Sequence, residues 1–131
     1  MSARKTPAIL IADGDKLMRW ALKERLSQDY GELREAADPQ STAALLEQGA
    51  DIAVVDAEFL KASDDLEKTL IAFARDHAVV LMTTDPSAVP TAFVEASACS
   101  VLEKPLRLDA VADLISAALA PITRTAPGRE T

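Results

Sequence analysis

The chain has 131 residues, 49% of them apolar and 27% charged, and a net charge of −7. That length suits one domain with a substantial core and leaves little room for a second. The acidic balance excludes nucleic-acid binding by this segment alone, which needs a basic footprint, and no apolar run reaches the length of a membrane span.

The opening MSARKTPAI is basic but has no long apolar core behind it, so it does not read as a secretory signal. The single cysteine, Cys99, cannot form an internal disulfide, and a cytoplasmic setting is the expectation. In chain order, residues 1–6 read as a flexible N-terminus and Pro7 to Ala12 as a short apolar strand. Met18, Ala21, Leu22 and Leu26 then fall on one face of a helix that Asp15 is placed to cap and Tyr30-Gly31 breaks. Leu33 to Ala37 reads as a second strand. Pro39 opens a helix that Gly49 closes. Asp51 to Asp56 is a third apolar strand ending in a carboxylate, and Leu66, Leu70, Ile71, Phe73 and Ala74 mark the next helix. Ala78 to Met82 reads as a strand, Ser87 to Ser97 as a helix, Cys99 to Leu102 as a brief strand and Leu108 to Leu119 as the last helix. The closing PITRTAPGRET, residues 121–131, reads as a linker or frayed tail.

Strands alternating with helices predict a doubly wound α/β domain over residues 7–120, with a five-stranded parallel sheet covered by helices on both faces. In such sheets ligands sit at the carboxyl ends of the strands. That rule gathers Asp13 and Asp15 after the first strand, Asp56 after the third, Thr83 and Thr84 after the fourth and Lys104 after the fifth. Clustered carboxylates with a hydroxyl and an amine suit phosphoryl chemistry. A carboxylate can accept the phosphoryl group, and the cationic side chain can pair with its oxygens.

The stretches ILIADGDKLMRWALKERL, DIAVVDAEF, VVLMTTD and VLEKPLRLDAV resemble, in this order, the receiver domains of two-component response regulators. The resemblance implies a flavodoxin-like sheet in the order 2-1-3-4-5 and makes Asp56 the phosphoacceptor, with Lys104 and Thr83 completing the reacting site. It implies Mg²⁺ held by Asp13, Asp56 and the backbone carbonyl of Glu58, with Asp15 as a further candidate ligand. It also implies a switch through Thr83 and Val101, and a cis peptide between Lys104 and Pro105. The implied partners are a sensor histidine kinase and an output domain or effector. A homodimer would form through the last two predicted helices and the strand between them. No activity is implied beyond self-catalysed phosphoryl transfer to Asp56, and no nucleic acid or membrane is contacted. The segment RWALKERL looks most like receivers of enhancer-binding transcription activators, which would put the role in transcription regulation.

The sequence departs from the family's pattern at three places. Receivers usually carry two adjacent acids after the first strand, and the second is Gly14 here. After Asp56 the customary Met-Pro and Asp-Gly loop is replaced by Ala57 to Asp64, and Val101 stands where an aromatic usually turns with the switch hydroxyl. A degenerate receiver that docks or dimerises without phosphorylation is therefore the alternative. Asp13-Gly14-Asp15 also resembles the nucleophile motif of haloacid-dehalogenase-type phosphatases. Those enzymes need an acidic metal pair after the lysine, and only Asp109 and Asp113 follow, at helical spacing. A flavodoxin-like FMN binder would need a Ser/Thr/Gly-rich phosphate loop after the first strand, and the sequence has none there. His77, Thr84 and Trp20 are expected to have no role in the site, His77 at the surface and Trp20 partly buried.

Overall fold

The computed structural model describes residues 6–96 and 99–123. Five short strands, apolar except for the charged edge segment Glu32–Ala36, form β1 (Ala8–Ala12), β2 (Glu32–Ala36), β3 (Ile52–Asp56), β4 (Ala78–Thr83) and β5 (Cys99–Glu103). Between and after them lie α1 (Lys16–Leu26), α2 (Pro39–Gln48), α3 (Glu58–Ala62), α4 (Asp64–Ala74), α5 (Thr91–Val94) and α6 (Leu108–Thr123). All strand pairs are parallel, in the order β2-β1-β3-β4-β5.

Side chains alternate across a strand, so each strand feeds both faces of the sheet. Leu10, Ala53, Val55, Val79 and Leu81 face a layer made by α2, α3, α4 and α5, with Leu46, Leu66, Leu70 and Phe93 as its bulk. Ile9, Ile11, Ile52, Val54, Val80 and Met82 face α1 and α6, against Leu22, Leu26, Val111, Ile115 and Leu119. The strands at the centre are apolar on both sides because both sides are covered. Leu70 is fully buried on α4, and Leu70→Ala is expected to cost about 2–5 kcal/mol, read as a lowered urea midpoint with an unchanged slope.

Helix ends follow local chemistry. Asp15 caps α1 through its carboxylate, which accepts from Leu17 and Met18 N–H, and Asp38 caps α2 in the same way from Ser41. Gly49 ends α2 at φ +101°, a backbone region costly for a side chain bearing Cβ.

Several expectations are corrected. The helix expected over Ser87 to Ser97 is a 3₁₀ turn at Pro86–Ala88 followed by the single turn α5. Pro90 between them cannot donate an N–H and crowds the preceding turn, which splits the segment. The stretch after β3 adds an unexpected helix, α3, before α4, with Ser63 between them accepting from Leu66 N–H as the cap of α4. Trp20, expected to be partly buried, is 59% exposed. His77, expected at the surface, is half-buried: its ring stacks on Phe73 at 4.5 Å, and its Nδ1 is buried without a hydrogen-bond partner among the described residues. The helical backbone of α6 runs on into the segment read as a tail, as far as Thr123. Residues 1–5, 97–98 and 124–131 lie outside the described residues, including the Ser97 end of the expected helix. Among the described residues no helix is long and apolar enough to cross a membrane.

Candidate acidic site at the strand ends

β1 and β3 are neighbours and end in register, so Asp13 and Asp56 emerge beside each other at the carboxyl edge of the sheet. Both are buried, at 1% and 7% exposure. Lys104 follows β5, its backbone N–H held 2.7 Å from the Thr83 carbonyl at the end of β4. From there its ammonium reaches 3.0 Å from Asp13 Oδ2 and 3.4 Å from Asp56 Oδ2. The Lys104–Pro105 peptide bond is cis.

Every polar group of Asp13 is engaged. Its N–H donates to Ala36 carbonyl at 3.1 Å and its carbonyl accepts from Arg19 Nη1 at 2.8 Å. Its Oδ1 accepts from Asp15 N–H at 2.8 Å and its Oδ2 from Lys104. Asp56 Oδ1 accepts from Glu58 N–H at 3.0 Å, which leaves Oδ2 toward the lysine. Burial is the largest influence on Asp56 and, with the charge of Asp13, holds its carboxyl above the ordinary carboxylate value despite the Glu58 N–H and Lys104. Burial alone would lower the Lys104 ammonium. The hydrogen bond to Asp13 and the charges of Asp13 and Asp56 outweigh it, and the ammonium is held above its usual value.

The other residues singled out in the sequence lie as follows. Thr83 is buried at the end of β4, and its hydroxyl is closed into its own loop, donating to Asp85 carbonyl at 3.1 Å and accepting from Asp85 N–H at 3.0 Å. Thr84 is exposed. Asp15 is exposed, and its carboxylate is turned to the start of α1. Val101 packs from β5 onto the layer containing Phe93. Glu58 is the first residue of α3, so its carbonyl runs along the helix axis toward Ala62. Asp109 is on α6, 2.9 Å from Arg25 Nε, and Asp113 is an exposed residue of the same helix. The acid pair that a dehalogenase-type site would require is not brought to the strand ends.

As the site stands, its two carboxylates are bridged by Lys104 rather than presented together to a Mg²⁺ ion. Mg²⁺ takes one or two carboxylates and keeps waters in octahedral geometry. Here the two carboxylates already hold an ammonium between their Oδ2 atoms, and the Glu58 carbonyl is turned into α3. Among the described residues no three His, Cys, Asp or Glu side chains converge as a metal site. The cation built into this site is Lys104.

Two features of the site were missed in the sequence. Arg19 was passed over as a polar helix position, and only its place on the turn following Asp15 could have signalled that it reaches back to β1. Phe59 was one residue of an unassigned loop; it is buried, and its ring edge lies 3.7 Å from where a Cβ on Gly14 would stand.

Comparison with known proteins places the fold. No family model matches the chain, and no curated protein matches it. Solved structures do. The signal receiver domain of an HD domain-containing protein from Pseudomonas fluorescens Pf-5 superposes with a TM-score of 0.76 at 20% identity, over 90% of this chain and 98% of that one. The receiver domain of a putative Luxo repressor protein from Vibrio parahaemolyticus gives 0.77 at 14% identity, over 90% and 93%. The Saccharomyces cerevisiae Ssk1 receiver domain, crystallised with the histidine phosphotransfer signaling protein Ypd1, gives 0.74 at 14% identity, over 92% and 95%. The chain has the flavodoxin-like fold of response-regulator receiver domains.

Proposed function

We propose that this domain is a receiver-type signalling module whose Asp56 accepts a phosphoryl group from a histidine-based donor, such as a sensor kinase or a phosphotransfer protein, and passes the change to an output domain or effector. The observation that carries this reading is the ammonium of Lys104 between the buried carboxylates of Asp13 and Asp56 at the strand ends. The likeness in fold to a receiver crystallised with a histidine phosphotransfer protein agrees with it.

In the transfer, Asp56 Oδ2 attacks phosphorus, since Oδ1 is occupied by the Glu58 N–H. The P–N bond of the donor imidazole breaks, its electron pair stays on the ring nitrogen, and the new bond is an acyl phosphate. Lys104 then pairs with a phosphoryl oxygen instead of with Asp13. Thr83 would have to leave its two bonds to Asp85 to reach another oxygen. That exchange would alter the β4–α5 connection, and Val101 would carry it weakly because it lacks the reach of an aromatic ring.

A second reading, docking without phosphorylation, is favoured by Gly14, by the Glu58 carbonyl turned into α3, and by the satisfied hydroxyl of Thr83. Intact mass after incubation with acetyl phosphate, with and without Mg²⁺, separates the two. The expected result is one phosphoryl group gained by the native chain and none by Asp56→Asn. Because the Asp56 carboxyl sits above its ordinary value, uptake should fall as pH drops and the nucleophile is protonated. No gain under either condition would overturn the phosphoacceptor reading in favour of the docking one.

A further inference from the structure

The structure assigns Arg19 as a positioning residue of the acidic site: its guanidinium fixes the Asp13–Gly14 peptide, and through it the carboxylate that shares Lys104 with Asp56. This rests on the phosphoacceptor reading for its consequence, though not for its geometry.

Gly14 is the source of the problem that Arg19 solves. A glycine after Asp13 leaves that peptide free to rotate through backbone regions closed to other residues, and the loop must still aim Asp13 inward. Arg19 Nη1 donates to the Asp13 carbonyl at 2.8 Å, while its Nε lies 3.4 Å from Glu35 Oε1 on β2. The side chain is only 15% exposed, on the face of α1 that also carries the buried Leu22 and Leu26. Glu35 is held in turn by Lys23 at 2.8 Å. The guanidinium therefore spans α1, the end of β1 and the edge strand, and a fork with several donors is the group that can bond two such partners at once. With the carbonyl pinned, Asp13 Oδ1 meets the Asp15 N–H and Oδ2 meets Lys104. Release of the carbonyl would let the peptide turn and loosen both bonds together.

Arg19→Met and Arg19→Lys test this with two readouts. In Arg19→Met the Asp15 amide proton resonance should shift upfield as its bond to Asp13 is lost, while Leu22 and Leu26 keep their exchange protection. The maximal rate of phosphoryl uptake from acetyl phosphate should fall about tenfold with an unchanged half-saturating concentration, because Arg19 positions the site without touching the donor. Arg19→Lys should recover part of both effects, since an ammonium can still reach the carbonyl. In a Gly14→Ala background, where the backbone is stiffer, Arg19→Met should do less harm. An unmoved Asp15 resonance, or protection lost evenly along α1, would overturn the assignment and leave Arg19 as a general stabiliser of the helix. If the native chain takes up no phosphoryl group, the reading of Asp56 fails, and the amide readout alone decides the role of Arg19.

Discussion

Lys104→Met is expected to lower stability by about 3 kcal/mol at neutral pH, the lower part of the range for removing one partner of a buried ion pair. The lysine side chain is 19% exposed, so solvent takes some of the loss, whereas Asp13 is almost fully enclosed. Without the ammonium, two carboxylates face each other at the strand ends with one N–H donor each, from Asp15 and Glu58. The deficit should shrink as pH falls, because protonating Asp56 removes the like-charge repulsion at little cost to a group that burial already pushes toward the neutral form. Urea unfolding of both chains at pH 7 and pH 5 checks this. A difference below about 1 kcal/mol at pH 7, or one that grows in acid, would show that the lysine contributes no balancing charge.

The native protein should show the matching pH dependence. Asp56 has a folded value above its ordinary 3.8, so its contribution is fully present below that ordinary value and is lost as pH rises through the folded one. Lys104, raised above 10.5, contributes below that value and is lost only as pH rises through its higher folded one. Glu35 has the opposite sign. The hydrogen bond from Lys23, ahead of the lesser bond from Arg19, holds its carboxyl below 4.5, so its contribution is present above that value and lost as pH falls. Mild acid therefore relaxes the strand-end pair while it weakens the Glu35 bridge between α1 and β2.

What was legible in the sequence follows from which signals are local. The three central strands β1, β3 and β4 were readable because both faces of the sheet are covered there, which makes each a short apolar run, and Asp15, Pro39 and Gly49 announce helix ends through chemistry within a few residues. The rule that ligands lie at strand ends then brought Asp13, Asp56, Thr83 and Lys104 together before any distance was known. The helix expected over Ser87 to Ser97 does not form as one piece because the apolar spacing is helical while Pro90 interrupts it. The bond from Arg19 to the Asp13 carbonyl was out of reach for a different reason. It joins a side chain to a backbone oxygen, and no pattern of residue types encodes the conformation of the peptide it holds. The same holds for the Glu58 carbonyl, whose direction depends on α3 forming, and α3 is too short to leave a periodic signal.

Gly14→Asp is expected to turn the lysine-filled corner into a divalent-cation site. Nothing in the backbone demands glycine there: the residue is outside the left-handed region, and an added Cβ would meet Phe59 Cε1 at 3.7 Å and Ala37 carbonyl at 3.8 Å, ordinary contact distances. A third carboxylate beside Asp13 and Asp56 would leave the corner with three negative charges against one ammonium, and a divalent cation relieves that excess better than Lys104 can. Mg²⁺ affinity measured by calorimetry should rise at least about tenfold, equivalent to about 1.4 kcal/mol. In metal-free buffer the variant should be less stable than the native chain, and the addition of Mg²⁺ should raise its midpoint by mass action while leaving the native midpoint nearly unchanged. Phosphoryl uptake at Asp56 should become strongly dependent on Mg²⁺ in the variant, because the ion would then take over the charge balance that Lys104 supplies alone. Equal Mg²⁺ affinity in the two chains would sink this account, since the limiting feature would then be the lysine bridge or the turned-in Glu58 carbonyl. Lys104→Met combined with Gly14→Asp distinguishes those two: recovered binding in the double variant would identify the ammonium as the competitor, and continued failure would point to α3.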